Sequence, residues 1–485
     1  MVYAGLDIGT TGAKITLFEG EKEIGKFYER YSSKRNAEQD EIDANIILKA
    51  VLKVILSAHD FRHDLSYVGV TSFGETFVLL DGNDRVLMPS ILYNDIRGKE
   101  ETQEIINKIG KERIGEITGL MVHEMFSLPK LLHVKERMPG IWKKVKKIML
   151  IQDFVIYMLT GVRQIDYSLA SRTMMFDVSK KEWSQEILSP FGIDASLLSE
   201  PVPTGSVAGK IHFEGMPEGI TLINIAHDQV SVALGSGLQK EGDAVDGCGT
   251  CECFIPFFHR IPLDRDIYDK GFGIVPYAFP DSYISYPLIF SGGVLVQWFM
   301  DNFGKNIVDP YNYFEKQIDV SKPSNLLVSP HFLGSGTPFM NSKSKAFIYG
   351  LDISSTIVDI YQGILEGVGY ETLYNIEILN RLGISIHRVF ANGGGSKNKK
   401  WLQIKANILN MPVIRLANYD AGTIGSAIVV GTTIGLFQNY EEGIQKLVKP
   451  AETYYPDEKA HQMYKKNFEM YKKWIQFKER NDENK

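Results

Sequence analysis

Near its start the chain carries hydrophobic residues in short runs broken by glycine. Residues 2–8, 14–18 and 23–31 read as three successive strands, separated by a hairpin at Gly9 and Gly12 and a turn around Gly20. The period then changes. Ile42, Ile46, Ala50, Val54 and Ala58 form one i, i+4 row, and Ile47, Val51 and Ile55 form the adjacent row, which predicts an amphipathic helix. Residues 66–72 resume as a strand. Farther on, 221–226 is an apolar strand that ends at His227-Asp228-Gln229 and leads into a small-residue helix over 230–235.

After Gly242 the pattern restarts, with a strand at 244–247, a hairpin at Gly249-Thr250 and a strand at 251–257. A long helix is predicted over 354–382. It is followed by a strand at 388–391, a helix at 397–409, a strand at 412–416 and a helix at 423–431. From Glu458 the chain reads as a charged helix whose end, 479–485, is expected to fray. Two halves that each open strand, hairpin, strand and then alternate helix with strand predict an α/β protein of duplicated domains. The expected division is 1–240, 241–450 and a helical tail at 451–485. A chain of 485 residues, 44% hydrophobic, is longer than one core usually supports.

Charge and composition narrow the chemistry. The net charge is -6 with dispersed cations, so the electrostatic footprint of a nucleic-acid binder is missing. Lys143, Lys144, Lys146 and Lys147 read as a solvated helix face, and Trp298, after Gly292-Gly293, as a core anchor. Cys248, Cys251 and Cys253 lack a matching second pair, so a strand and turn is favoured over a metal site. The few thiols and the immediate entry into a strand lead to the expectation of a cytoplasmic protein. The uncharged stretch 421–440 is interrupted by four glycines and reads as a buried helix with a turn, not a membrane span.

The candidate chemistry lies at the strand ends. Leu6-Asp7-Ile8-Gly9-Thr10-Thr11-Gly12-Ala13-Lys14 sets a carboxylate beside backbone amides freed by glycine, which suits a metal-bound phosphate. Asp246-Gly247-Cys248-Gly249-Thr250 repeats the chemistry, and Asn392-Gly393-Gly394-Gly395-Ser396 adds a glycine cluster. The three describe a nucleotide held between two domains, and no GxxxxGK[ST] phosphate loop is present. Asp7 is then a candidate Mg²⁺ ligand or a turn carboxylate. Lys14 lies inside the second strand, where its charge serves the site or points to solvent.

Asp228 is a candidate general base at a strand end, or a helix N-cap. Glu75, in Phe73-Gly74-Glu75, can accept the hydrogens of a vicinal diol, or is a loop carboxylate facing solvent. Tyr93, Asn94, Asp95 and Arg97 form a polar cluster that lines a pocket or folds on itself. His227 reads as structural.

These residues resemble the FGGY carbohydrate kinases, of the actin-like, ribonuclease-H-like ATPase superfamily, over nearly the whole chain. Ala346-Phe347-Ile348-Tyr349-Gly350-Leu351 with 359–366 looks like the family's C-terminal signature, departing at Gly363. Residues 125–133 match the N-terminal signature in part, with His133 where tryptophan is usual. Asn392 to Lys397, running into Trp401-Leu402-Gln403, looks like the adenosine motif.

The resemblance implies two ribonuclease-H-like domains flanking a catalytic cleft, and ATP and Mg²⁺ as cofactors. It implies Asp228 as base and Asp7 at the metal. Thr10, Thr11, Gly12, Lys14, Gly249, Thr250, Gly393, Gly394, Gly395, Ser396 and Asn398 would bind nucleotide. Phe73, Gly74, Glu75, Asp228 and Gln229 would bind substrate. Glycerol kinases carry Gln-Arg-Glu where this chain has Phe73-Gly74-Glu75, and the Met-His usual in xylulokinases is also missing, although Asp228-Gln229 is similar to the glycerol kinase pair.

The expected activity is phosphorylation of a terminal hydroxyl on a small sugar, a ketose such as xylulose. A polyol kinase acting on glycerol or erythritol is the alternative, and an actin- or chaperone-like nucleotide switch the alternative of another class. The expected partner is a small-molecule sugar or polyol, with no nucleic acid and no membrane, and a homodimer is left open.

Overall fold

Residues 1–35, 39–417 and 420–482 are described by the structure, a computed structural model. The first part of the chain forms β1 (Val2–Ile8), β2 (Gly12–Glu19), β3 (Lys22–Arg30), α1 (Ala44–Phe61), β4 (Leu65–Ser72), α2 (Ser127–Arg137), α3 (Ile151–Thr160), α4 (Tyr167–Ser171), β5 (Val207–Lys210), β6 (Thr221–His227) and α5 (Asp228–Gly235). There follow β7 (Gly242–Cys248), β8 (Glu252–Phe258), α6 (Gly293–Phe303), α7 (Ile357–Arg381), β9 (Ile386–Asn392), α8 (Lys399–Leu409), β10 (Val413–Leu416), α9 (Ala421–Thr433), α10 (Tyr440–Leu447), β11 (Pro450–Tyr454) and α11 (Glu458–Asp482). The chain divides into two compact units. The first is Met1–Gly237 with Ile274–Tyr283 and Asp420–Val448; the second is Leu238–Gly273, Ile284–Tyr419 and Lys449–Lys485. Set beside the linear division at 240 and 450, two later segments return to the first unit.

In the first unit the sheet runs β5-β6-β4-β1-β2-β3. Its central pairings, β1 with β4 and β4 with β6, are parallel, and β2 and β5 flank them antiparallel. The second unit repeats this order. β7 pairs antiparallel with β8 and parallel with β9, β9 runs parallel to β10, and β10 antiparallel to β11. Parallel strands bring their C-terminal ends to one edge, where α/β sheets hold ligands.

Helix α1 buries Ile47, Val51, Ile55, Ala50, Val54 and Ala58. Ile46 is 43% exposed, because an i, i+4 row advances about 40° per step past a full circle and carries its end off the buried face. Ile42 precedes the helix in a short strand.

Helix α9 is the predicted glycine-rich buried helix, and it packs on β1 and α5. The glycines are there for backbone contact: a Cβ on Gly425 would lie 1.9 Å from the Ser231 carbonyl oxygen, and one on Gly235 1.9 Å from that of Ala421.

Three expectations change. Residues 143–147 form no long helix: a short one ends at Trp142, and Lys147 enters a strand and pairs with Asp84 at 2.6 Å. Trp298 is 37% exposed on α6, resting on Phe303 and Phe332. Helix α11 continues through Asp482 with Glu479 buried, and 483–485 lie outside the described residues. Among the described residues, no helix is long and apolar enough to cross a membrane.

Candidate active site

Three neighbouring strands of the first unit end together, and their last residues carry the polar groups. Asp7 pairs in register with Lys14 on one side and Thr71 on the other, and Ser72 pairs with both Ile8 and His227. The β4–β6 ladder is irregular between Asn224 and His227. Backbone carbonyls freed there need donors. The buried Gln152 amide of α3 donates to the carbonyls of Val70 and Ile225, and the Thr71 hydroxyl to that of Ala226 at 2.5 Å. The strand end bearing His227 and Asp228 is thereby fixed.

Asp228 opens α5. Its Oδ1 accepts the Gln229 N–H at 2.6 Å and lies 3.2 Å from His227 Nε2. Burial, together with the charges of Asp7 and Glu75, pushes its carboxyl up to about 8, against the opposing pull of the Gln229 amide and Arg172. Burial, and then Arg172, holds His227 well below the ordinary histidine range, so the ring is neutral and its Nε2–H can donate to Asp228.

Glu75 follows β4 at φ 61°, a left-handed conformation costly for a side-chain-bearing residue. The Ser127 hydroxyl, at the start of α2, donates to its carbonyl at 2.6 Å and holds it there. Its carboxylate is buried against Arg172, with Nε at 2.6 Å and Nη2 at 2.5 Å from Oε1. The guanidinium also stacks on Phe126.

Gly74 makes room for this group, since a Cβ there would lie 2.9 Å from the His227 ring. Phe73 is 4% exposed and belongs to the core. Lys130 on α2 is buried and donates to the carbonyls of Tyr93 and Glu124; burial lowers its ammonium to about 8, although Asp95, Glu124 and Glu75 oppose the fall. The 93–97 loop folds on itself: Asp95 is paired with Arg97, and Asn94 donates to Asp40.

At the first hairpin, Gly9 N donates to Gly12 O, so the Asp7 carboxylate is not the cap of this turn. It lies 3.5 Å from Lys14 Nζ, which is 2.6 Å from Asp420 Oδ1. The Lys14 charge is thus directed at these two carboxylates. Burial alone would lower its ammonium, yet Asp7 and Asp420 hold it above the ordinary lysine range. The Asp7 carboxyl is raised, by burial first and by Asp420, with Lys14 opposing. The Gly9 and Thr11 carbonyls accept from Tyr31 and Tyr28, so these oxygens already have donors beside the hairpin amides that would meet an anion. Thr10 is half-buried and Thr11 exposed, and a Cβ on Gly12 would strike Tyr28.

In the second unit, Gly249 and Thr250 sit exposed at the β7–β8 turn, their carbonyls accepting from the amides of Gly292, Gly293 and Val294. The three glycines after β9 do different work. Gly393 has φ 83° and, like Gly395, has no space for a Cβ because of Cys248; Gly394 faces open space. Ser396 is buried and donates to Gly393 O at 2.7 Å, and Asn398 caps α8 by accepting from Trp401 N. Arg172 and Asp420 carried no sequence signal: each lies far along the chain from its partner and in no recurring pattern.

Strand-end carboxylates in the first unit, and a hairpin and a glycine turn in the second, are the chemistry expected of a phosphotransferase that acts on a polyhydroxy acceptor. The family comparison agrees. The model of the FGGY family of carbohydrate kinases, N-terminal domain, matches residues 2–235, and that of the C-terminal domain matches 271–433. The chain belongs to the FGGY family, and it is a carbohydrate kinase that transfers phosphate from ATP to a sugar hydroxyl.

It is 27% identical to the xylulose kinase of Bacillus subtilis over 96% of this chain and 95% of that one. It is 28% identical to the glycerol kinase of Thermococcus kodakarensis over 97% and 95%. The crystal structure of ligand-bound xylulose kinase from Lactobacillus acidophilus matches with a TM-score of 0.90 at 21% identity, covering 97% of each chain.

Proposed function

We propose that the protein phosphorylates the terminal hydroxyl of a small ketose such as xylulose, with Asp228 as general base. The observation that supports this most is the convergence of Asp228, neutral His227 and the Glu75–Arg172 pair at adjoining strand ends. Oδ1 of Asp228 is engaged by the Gln229 amide, so Oδ2 is assigned to the substrate hydroxyl. As that oxygen attacks the γ-phosphorus, its proton passes to Asp228 and the β–γ bridging oxygen leaves with ADP. In a loose transition state the proton moves late, so positioning of the carboxylate by Gln229 and His227 counts as much as its basicity. Glu75 accepts, and Arg172 donates, hydrogen bonds with the sugar's other hydroxyls.

The hard oxygen donors at Asp7, whose charge is close enough to raise the proton affinity of Asp228, fit Mg²⁺. Asp7 would hold it, directly or through water, where it would neutralise phosphate charge. Thr10, Thr11, Gly12 and Lys14 would meet phosphate oxygens, as would Gly249 and Thr250. Gly393, Gly394 and Gly395 would underlie the adenosine, with Ser396 and Asn398 shaping their turn.

A polyol acceptor, glycerol or erythritol, is the second reading. Arg172 favours it, because it restores beside Glu75 the guanidinium that the local sequence lacks.

A coupled ADP-release assay with Mg²⁺ and ATP over pentuloses, hexuloses, pentitols, erythritol and glycerol decides. A single strong ketose supports the first reading and a single polyol the second. ATP turnover independent of any acceptor would overturn both.

A further inference from the structure

Beneath the second unit's loops, a lysine stands inside an acidic cluster. Lys405, on α8, is 1% exposed. Its Nζ lies 2.6 Å from Asp246 Oδ2, in contact with Glu252 Oε1 and 3.2 Å from Cys248 Sγ, and 4.6 Å from the centre of the Trp401 ring. Asp246, Cys248 and Glu252 place their ligand atoms within 4.8 Å of one another, as a metal site would. The ammonium among them is the cation this cluster already holds.

The position of the cluster gives it a use. Asp246 and Glu252 sit on the two strands that carry the Gly249-Thr250 hairpin, one on each side of the turn. Cys248 packs on the glycine run, where a Cβ on Gly393 would lie 2.8 Å from its carbonyl oxygen and one on Gly395 3.0 Å from its Cβ. Trp401 closes on Gly395 from the α8 side, where a Cβ would lie 2.7 Å from the ring. One ammonium therefore grips both strands of the hairpin and, through its own helix, the turn at 393–395.

We propose that Lys405 is a positioning residue that fixes the distance between the phosphate hairpin and the nucleoside turn, and so matches the second unit to a nucleoside diphosphate. This rests on the reading that these loops take the nucleotide. A buried ammonium held by two carboxylates is suited to the task, because each partner left behind by a slip would be an unpaired buried charge.

The test is titration calorimetry of the full chain with ADP and with adenosine. Wild type that binds neither would sink the nucleotide reading itself. Where it binds, the variants K405M and K405M/D246N/E252Q follow. The triple variant leaves no buried charge unpaired and keeps the test alive should the single one not fold. The expected result is adenosine affinity within about twofold of wild type, while the ratio of ADP to adenosine affinity falls tenfold or more. A folded variant whose ratio is unchanged, whatever its unfolding temperature, would show Lys405 to be a core ion pair and nothing more.

Discussion

Asp228 and Gly394 show how differently two candidate residues, one in each unit, depend on their surroundings. Asp228 is held by an amide, an imidazole and burial, and Asp228→Asn keeps the shape while removing the proton acceptor. Turnover is expected to fall by about 10²- to 10⁴-fold, read by coupled ADP release, with the fold intact by circular dichroism. The raised carboxyl gives this a pH signature. With both substrates well below saturation the rate reports the free enzyme, so it should climb with pH toward about 8, and D228N should lose that limb. The same shift makes the folded state hold a proton that the unfolded chain releases near pH 4. This group's contribution therefore favours folding at low pH and fades as pH rises through about 8.

Gly394, unlike its neighbours, has open space where a Cβ would go. Gly394→Ala should leave the unfolding temperature unchanged and raise KM for ATP, measured side by side; an unchanged KM would move the adenosine elsewhere. The sequence showed the carboxylates and glycines because each sits in a short local pattern. It showed neither Arg172 nor Lys405, whose partners are 97 and 159 residues away.

Among elements, strands and long helices were legible because their period is set locally, down to the glycine-rich α9. The docking of α11 was not, since it depends on one buried constellation. His331 lies between Glu371, on α7, and Glu479, on α11, with Ser344 and Lys478 beside it and Tyr471 donating to Glu371. Burial works against the imidazolium, but the two carboxylates raise it above the ordinary histidine range despite Lys478. Burial likewise works against the Glu479 carboxylate, but hydrogen bonds from His331, Ser344 and Lys478 lower it to about 2. The histidine's contribution to stability is present at low pH and lost as pH rises through its raised value; the glutamate's is lost only as pH falls toward 2. Glu479→Gln should therefore cost roughly 3 kcal/mol of unfolding free energy near neutrality, in denaturant titrations, and less at alkaline pH, where His331 is neutral.

For the whole molecule, duplication was readable from the repeated strand-hairpin-strand opening, and the return of a late segment to the first unit was not, because nothing in α9 itself says which sheet it covers. That helix lies on β1 and α5 and supplies the backbone contacts for Gly235 and Gly5. A fragment of residues 1–237 should consequently show no cooperative thermal transition, whereas the same fragment joined by a flexible linker to 420–448 should regain one. Cooperative melting of 1–237 alone would show α9 to be dispensable.

The order of folding follows from that interleaving. Both units draw on the last stretches of chain, 420–448 for the first and 449–485 for the second. At about 5–20 residues per second, translation of the earlier residues takes tens of seconds, during which β1 and α5 exist without the helix that covers them. The first unit cannot be finished before residue 448 has been made, so the nascent protein passes through a long interval with an open apolar face that a chaperone could meet.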